Sequence, residues 1–171
     1  EKDSVNRLED NSYMDVLQLK NLTDSLHALQ FRLQVNKEIS DNVILSFLNI
    51  QKGADVSDSS WILVYNVVRG QIVPNGASQD EVFVLLYNIN QGVGLPPGDY
   101  NELFKVNYRV ADLPALQDSV KSTFKITNAE ASTFEGLPIT ITPSRDLLTV
   151  IAKNRVGYLG DVNSDGCIDI L

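Results

Sequence analysis

The sequence predicts an all-β protein, an antiparallel β-sandwich or jelly roll with about nine strands. Three observations carry that expectation. Apolar and polar residues alternate with a period of two in separate segments, β-rich apolar runs are bounded by turn formers, and helical periodicity is almost absent.

Taken in chain order, residues 1–12 are polar and charged, and are expected to be a flexible lead-in or a linker from an earlier module. The sandwich is expected over residues 13–153, beginning with a strand from Tyr13 to Lys20. Leu29, Phe31, Leu33 and Val35 then alternate with Gln30, Arg32 and Gln34, the pattern of a strand with one buried face. Four denser runs, Val43 to Ile50, Trp61 to Val68, Val82 to Ile89 and Leu147 to Ala152, read as strands covered on both sides or lying in the centre of the sandwich. Alternation returns at Phe104, Val106, Tyr108 and Val110 against Lys105, Asn107 and Arg109, and again at Phe124 and Ile126 against Thr123, Lys125 and Thr127. Leu137 to Ile141 completes the set. Turn formers separate these runs: Asp55 to Ser60, Pro74-Asn75-Gly76, Gly92 to Gly98 with Pro96-Pro97, and Pro143-Ser144. Only Ala111 to Val120 has room for a helical turn, and Pro114 keeps it short. One parity of each alternating strand must face the core, so Leu29, Phe31, Leu33, Phe104, Val106, Phe124 and Ile126 are expected inside and Gln30, Arg32 and Lys105 outside.

Composition narrows the function. The chain has 171 residues, 22 acidic against 14 basic, and a net charge of −8. Nucleic-acid binders concentrate Lys and Arg, so no phosphate-binding surface is expected, while calcium, cationic surfaces and neutral sugars stay open as partners. No apolar run approaches the roughly 18–20 residues of a membrane span, and Glu1 opens no signal-peptide pattern. A start without Met fits a processed secreted protein. Cys167 is the only cysteine, which rules out an intrachain disulfide and thiol-rich zinc sites. His27 is likewise alone and reads as a strand-edge histidine rather than a metal ligand or triad member. There is no Gly-x-Ser-x-Gly elbow, His-Glu-x-x-His helix or phosphate-cradling loop, and Gly92-Val-Gly94 has the spacing of a turn. Carboxylates are plentiful, yet nothing singles out a catalytic pair, and an enzyme is not expected.

The one dense chemical motif is Gly160-Asp-Val-Asn-Ser-Asp-Gly-Cys-Ile-Asp-Ile-Leu171. Side-chain oxygens recur at Asp161, Asn163, Asp165 and Asp169, Gly166 sits where an EF-hand-type loop turns sharply, and Cys167 stands where such a loop gives a backbone carbonyl. Calcium takes six to eight oxygens at about 2.3–2.6 Å, so this all-oxygen set is a hard-cation pattern and argues against zinc and copper. Loop position twelve, the usual bidentate carboxylate, falls at residue 172, and the sequence is expected to be cut inside the motif. Residues 154–171 therefore read as a linker and a partial calcium loop.

Asp161, Asn163, Asp165, Gly166 and Asp169 closely resemble the first half of a dockerin repeat. The body resembles a cohesin module, in Leu19-Lys-Asn-Leu22 with Leu26-His-Ala-Leu-Gln-Phe-Arg-Leu33, in Val84-Leu-Leu-Tyr-Asn88, in the Gly-Pro turn at Gly94 to Gly98, and in Leu103-Phe-Lys-Val-Asn-Tyr-Arg-Val110. That resemblance implies a nine-stranded jelly roll and a dockerin-binding sheet face, to which the motif assigns no residue here. Three triplets, Asp3-Ser-Val5, Asp24-Ser-Leu26 and Asp118-Ser-Val120, resemble an O-glycosylation acceptor of some secreted Bacteroidota proteins, and Asn21-Leu-Thr23 is an N-glycosylation sequon.

The leading expectation is a secreted, non-catalytic assembly module at the surface of or outside a bacterium. Its partners would be other secreted or cell-surface proteins, or copies of itself joined head to tail into filaments or arrays, with a calcium-dependent tail. The alternative is a carbohydrate-binding module of a polysaccharide-degrading system, with Trp61, Tyr65, Tyr87, Tyr100 and Tyr108 as a stacking platform.

Overall fold

The computed structural model describes residues 4–6, 12–37, 45–72, 78–110, 119–143 and 148–153. Ten strands run through them: β1 (Ser4–Asn6), β2 (Ser12–Leu22), β3 (Ala28–Lys37), β4 (Leu45–Lys52), β5 (Trp61–Ile72), β6 (Ser78–Asn88), β7 (Gly98–Val110), β8 (Ser119–Ser132), β9 (Pro138–Ile139) and β10 (Leu148–Lys153). A single 3-10 turn, Ala54–Val56, links β4 to β5. The strands form a seven-stranded sheet ordered β1-β10-β8-β3-β6-β5, with β9 attached to β8, and a three-stranded sheet ordered β2-β7-β4.

The two sheets are held face to face by the side chains that alternation sends inward. Leu29, Phe31 and Leu33 of β3 and Phe104 and Val106 of β7 are all buried, as expected, and the rings of Phe31 and Phe104 meet edge to face with centroids 5.4 Å apart. Ile126 packs against this core and is partly buried, Gln30 is exposed, and Arg32 and Lys105 are half-buried. The side chain of Phe124 lies outside the described residues. Val82, Leu86, Phe47 and Tyr108 complete the most deeply buried layer.

Several expectations are corrected. Ser4–Asn6, within the presumed lead-in, pairs with Ile151–Lys153 of β10, and this pair runs parallel in an otherwise antiparallel fold. The strand expected from Leu137 to Ile141 is only Pro138–Ile139, because Thr133–Leu137 folds into a turn closed by the Thr133 N–H on the Leu137 carbonyl at 2.9 Å. The helical turn expected in Ala111 to Val120 lies mostly outside the described residues, and its last two members, Ser119 and Val120, begin β8. Most consequential, the dense runs through β4, β5 and β6 are not covered on both sides. Leu48, Val64, Leu85 and Ile89 are exposed, since a two-layer sandwich covers only one face of each strand.

Two local devices shape the sheets. Gly53 lies so close to β7 that an added Cβ would stand 1.8 Å from the Glu102 carbonyl oxygen, which lets its N–H reach the Leu103 carbonyl at 2.9 Å. On β8 a bulge opposite Phe31 shifts the register between Gln30↔Glu130 and Arg32↔Thr127, and Asn128 takes a left-handed φ of 49° to accommodate it.

Candidate recognition face

β6 carries apolar residues at both parities. Val82, Val84 and Leu86 point inward and are buried, with Asn88 continuing their row. Asn88 is polar but satisfied: its side-chain amide donates to Ser60 Oγ at 3.1 Å and its side-chain oxygen accepts the Asn90 N–H at 2.8 Å. The opposite parity, Phe83, Leu85 and Tyr87, with Ile89 just past the strand, therefore points away from the core. Leu85 is 38% and Ile89 58% exposed, while Phe83 and Tyr87 are half-buried by their neighbours.

The neighbouring strands widen this stripe into a face. Register places Ile62 beside Tyr87, Val64 beside Leu85 and Asn66 beside Phe83 on the β5 side. On the other side Gln30 lies beside Leu85 and Arg32 beside Phe83, with Glu130 of β8 next to Gln30. A shallow depression of about 400 Å³ lies over Val64, Leu85 and Phe83, rimmed by Gln30, Arg32 and Asn128. The rim is internally paired. The Arg32 guanidinium sits 4.7 Å from the Phe83 ring centroid and 3.7 Å from the Glu81 carboxylate, which also accepts from Gln34 at 2.8 Å, and Gln30 donates to Glu130 at 2.6 Å. An apolar centre within a polar rim is an arrangement found in protein-binding surfaces, and here Thr127 Oγ1, opposite Arg32, is buried without a hydrogen-bond partner among the described residues.

The outer face of the smaller sheet differs. There Asn107 donates to Asn49 at 2.7 Å, and Lys105 reaches Glu102 at 2.6 Å, a contact that holds the Glu102 carboxyl below its ordinary value. Its middle strand is polar on this side, while the flanking strands add two separate exposed apolar residues, Met14 of β2 beside Asn107 and Leu48 of β4.

Other expected site residues are dispersed or undescribed. Asp161, Asn163, Asp165, Cys167 and Asp169 lie outside the described residues, and among those described no group of three or more His, Cys, Asp or Glu is placed to hold a metal ion. His27, just before β3, has Nδ1 3.1 Å from the Val93 carbonyl oxygen and its ring edge-on to Phe134, an anchoring role between loops. The five aromatics considered as a sugar platform do not form one row. Trp61 and Tyr108 are buried in the core, the Tyr100 hydroxyl donates to the Pro96 carbonyl, Tyr65 packs on Phe47, and only Tyr87 belongs to the outer stripe. Among the described residues no helix is long and apolar enough to cross a membrane. This apolar face was not singled out by sequence reasoning, although its signal was the double-sided apolar run Val82 to Ile89.

No family model matches the chain, and no curated protein matches it in sequence. Solved structures match it in fold. A chain of a type I cohesin–dockerin complex from Clostridium thermocellum is 16% identical with a TM-score of 0.61, over 89% of this chain and 90% of that one. The sixth cohesin of scaffoldin B from Acetivibrio cellulolyticus, solved in complex with a mutant dockerin, is 12% identical with a TM-score of 0.58, over 90% of this chain and 95% of that one. A second type I complex from Clostridium thermocellum aligns at 13% identity and a TM-score of 0.51, over 89% and 94% of the two chains. At such identities the likeness is one of architecture, and the chain folds as a cohesin-like β-sandwich.

Proposed function

We infer that the chain is a non-catalytic recognition module that binds another protein across the outer face of β8-β3-β6-β5. One observation carries this: β6 is apolar on both faces, and the sandwich covers only one. Leu85, Val64 and Ile89 keep about half of their surface in water, so a partner covering them would gain about 1 kcal/mol for each, roughly half the value of a fully buried side chain, and contiguous exposed apolar patches mark interaction sites. The structural neighbours were solved in complex with dockerins, which makes a dockerin-like module the partner of choice. An interface of standard size, above about 1,000 Å² in total, would extend over the stripe and its polar rim.

The tail adds a second element to the proposal. Asp161, Asn163, Asp165 and Asp169, with the Cys167 carbonyl, supply only oxygen donors, a set suited to calcium. Calcium would order a segment with little apolar content of its own, so attachment through the tail would depend on the ion. A cohesin-like body and a dockerin-like tail on one chain fit an extracellular or cell-surface bacterial assembly, including head-to-tail arrays.

Dockerin-bearing proteins secreted by the same organism, passed over the immobilised chain with calcium, are expected to be retained and to be lost with Leu85→Glu. Retention on a polysaccharide instead, with no protein bound, would transfer the function to carbohydrate recognition. For the tail, calcium titrated calorimetrically into the protein should give a binding heat that Asp161→Ala abolishes. A heat unaltered by that substitution would remove the calcium loop from the proposal.

A further inference from the structure

The larger sheet ends on β5, and the free edge of β5 differs from the other edges among the described residues. β6 pairs with one side of β5 in unbroken register from Trp61↔Asn88 to Val68↔Glu81, and no described strand pairs with the other side. Two hydrogen bonds show which residues face that free side. The Ile89 N–H donates to the Ser60 carbonyl at 2.8 Å, and in an antiparallel ladder such bonded pairs recur at every second residue. Ile62, Val64, Asn66 and Val68 are therefore the residues bonded to β6. The Trp61 carbonyl, out of phase with these, accepts instead from Lys52 Nζ at 2.9 Å. Leu63, Tyr65 and Val67 share its phase and turn their N–H and C=O groups outward, with no partner among the described residues.

Edge strands normally carry features that discourage pairing. β1 is three residues long. β2 contains Asp15 and Lys20 and two register shifts, and β4 has a register shift and ends on Lys52. β5 carries its Arg69 and its register shift only beyond Val68, and the eight residues from Trp61 to Val68 have no charge, no proline and no bulge.

We propose that β5 pairs antiparallel with β5 of a second copy of this chain, about a two-fold axis through Tyr65. This register sets Tyr65 opposite Tyr65 and Leu63 opposite Val67, so every outward-facing residue joins a pair that exchanges both of its hydrogen bonds. Side-chain neighbours also match, with Ile62 opposite Val68 and Val64 opposite Asn66. The chain carries a net charge of −8 and repels itself over much of its surface, whereas this segment brings no like charges together. A two-fold contact closes on itself, and it sets the Ile62 and Val64 rows of both copies side by side on one continuous outer face. The contact uses the edge of the sheet and stands whether or not the face binds a dockerin.

Sedimentation of the chain over a concentration series, with Cys167→Ser to remove the native thiol, is expected to show a monomer–dimer equilibrium. Tyr65→Pro deletes the outward N–H at the axis and leaves the bonds to β6 in place, and it should weaken the dimer at least about tenfold. A second variant does not rely on that protein folding well. Tyr65→Cys should cross-link to itself under mild oxidation, since its Cα atoms would lie about 5.5 Å apart, while Asn66→Cys, opposite Val64, should not. A monomer at all concentrations, a dimer in which Tyr65→Cys cross-links no faster than Asn66→Cys, or a monomer that instead captures an extended peptide along β5 would each overturn the proposal.

Discussion

On the outer face of β2-β7-β4 the residues of the middle strand are Lys105 and Asn107, bonded to Glu102 and Asn49. On the outer face of β3-β6-β5 the corresponding strand presents Phe83, Leu85 and Tyr87, flanked by Ile62 and Val64. Both strands bury their other parity in the same core. The difference shows what a two-layer sandwich asks of its strands. Folding needs one apolar face per strand, and β7 supplies that and no more. β6 supplies a second, which the fold does not use and which is therefore available to a partner.

The comparison breaks first if the shared inner layer is misassigned. Phe31 is 4% exposed, and Phe31→Ala should cost about 3–5 kcal/mol in urea melts, while Gln30→Ala, one residue along on the outer face, should stay within about 0.5 kcal/mol. Equal costs would mean that the faces do not alternate as described. Next in size is the effect on binding. Leu85→Glu should lower partner affinity by about 30-fold, as a central interface residue does, and leave the melt close to that of the wild type. Asn107→Glu, on the opposite face, should leave affinity unchanged. Loss of binding with the second variant rather than the first would exchange the roles of the two faces.

The smallest effect sharpens the polar side. Glu102 titrates below its ordinary value of 4.5, chiefly because the Lys105 ammonium donates to it. A carboxylate lowered in the folded state adds stability that is complete above its ordinary value and fades as pH falls through the lowered one. In Lys105→Ala the Glu102 titration followed by NMR should move up toward 4.5, and the acid limb of stability should flatten between those two values. At neutral pH partner binding should not change.

Much of this protein was readable from residue order. Period two at Leu29, Phe31 and Leu33 and at Phe104 and Val106 determined which side chains build the core, because a strand has only two faces and water sorts them. Spacing of oxygen residues from Asp161 to Asp169 raises calcium as a proposal from the sequence alone, and these residues lie outside those described. Other features needed the tertiary structure. The run Val82 to Ile89 announces two apolar faces but not which of them is left open, and that depends on β6 lying in a sheet with one facing layer. Ser4–Asn6 became a strand only through β10, far away in sequence. The bulge at Asn128, which brings Asn128 to the rim of the face, follows from registers on two strands at once. Alternation and loop spacing are short-range properties that the chain carries by itself, whereas the covering of a face and the pairing of an edge are set by segments that meet only after folding.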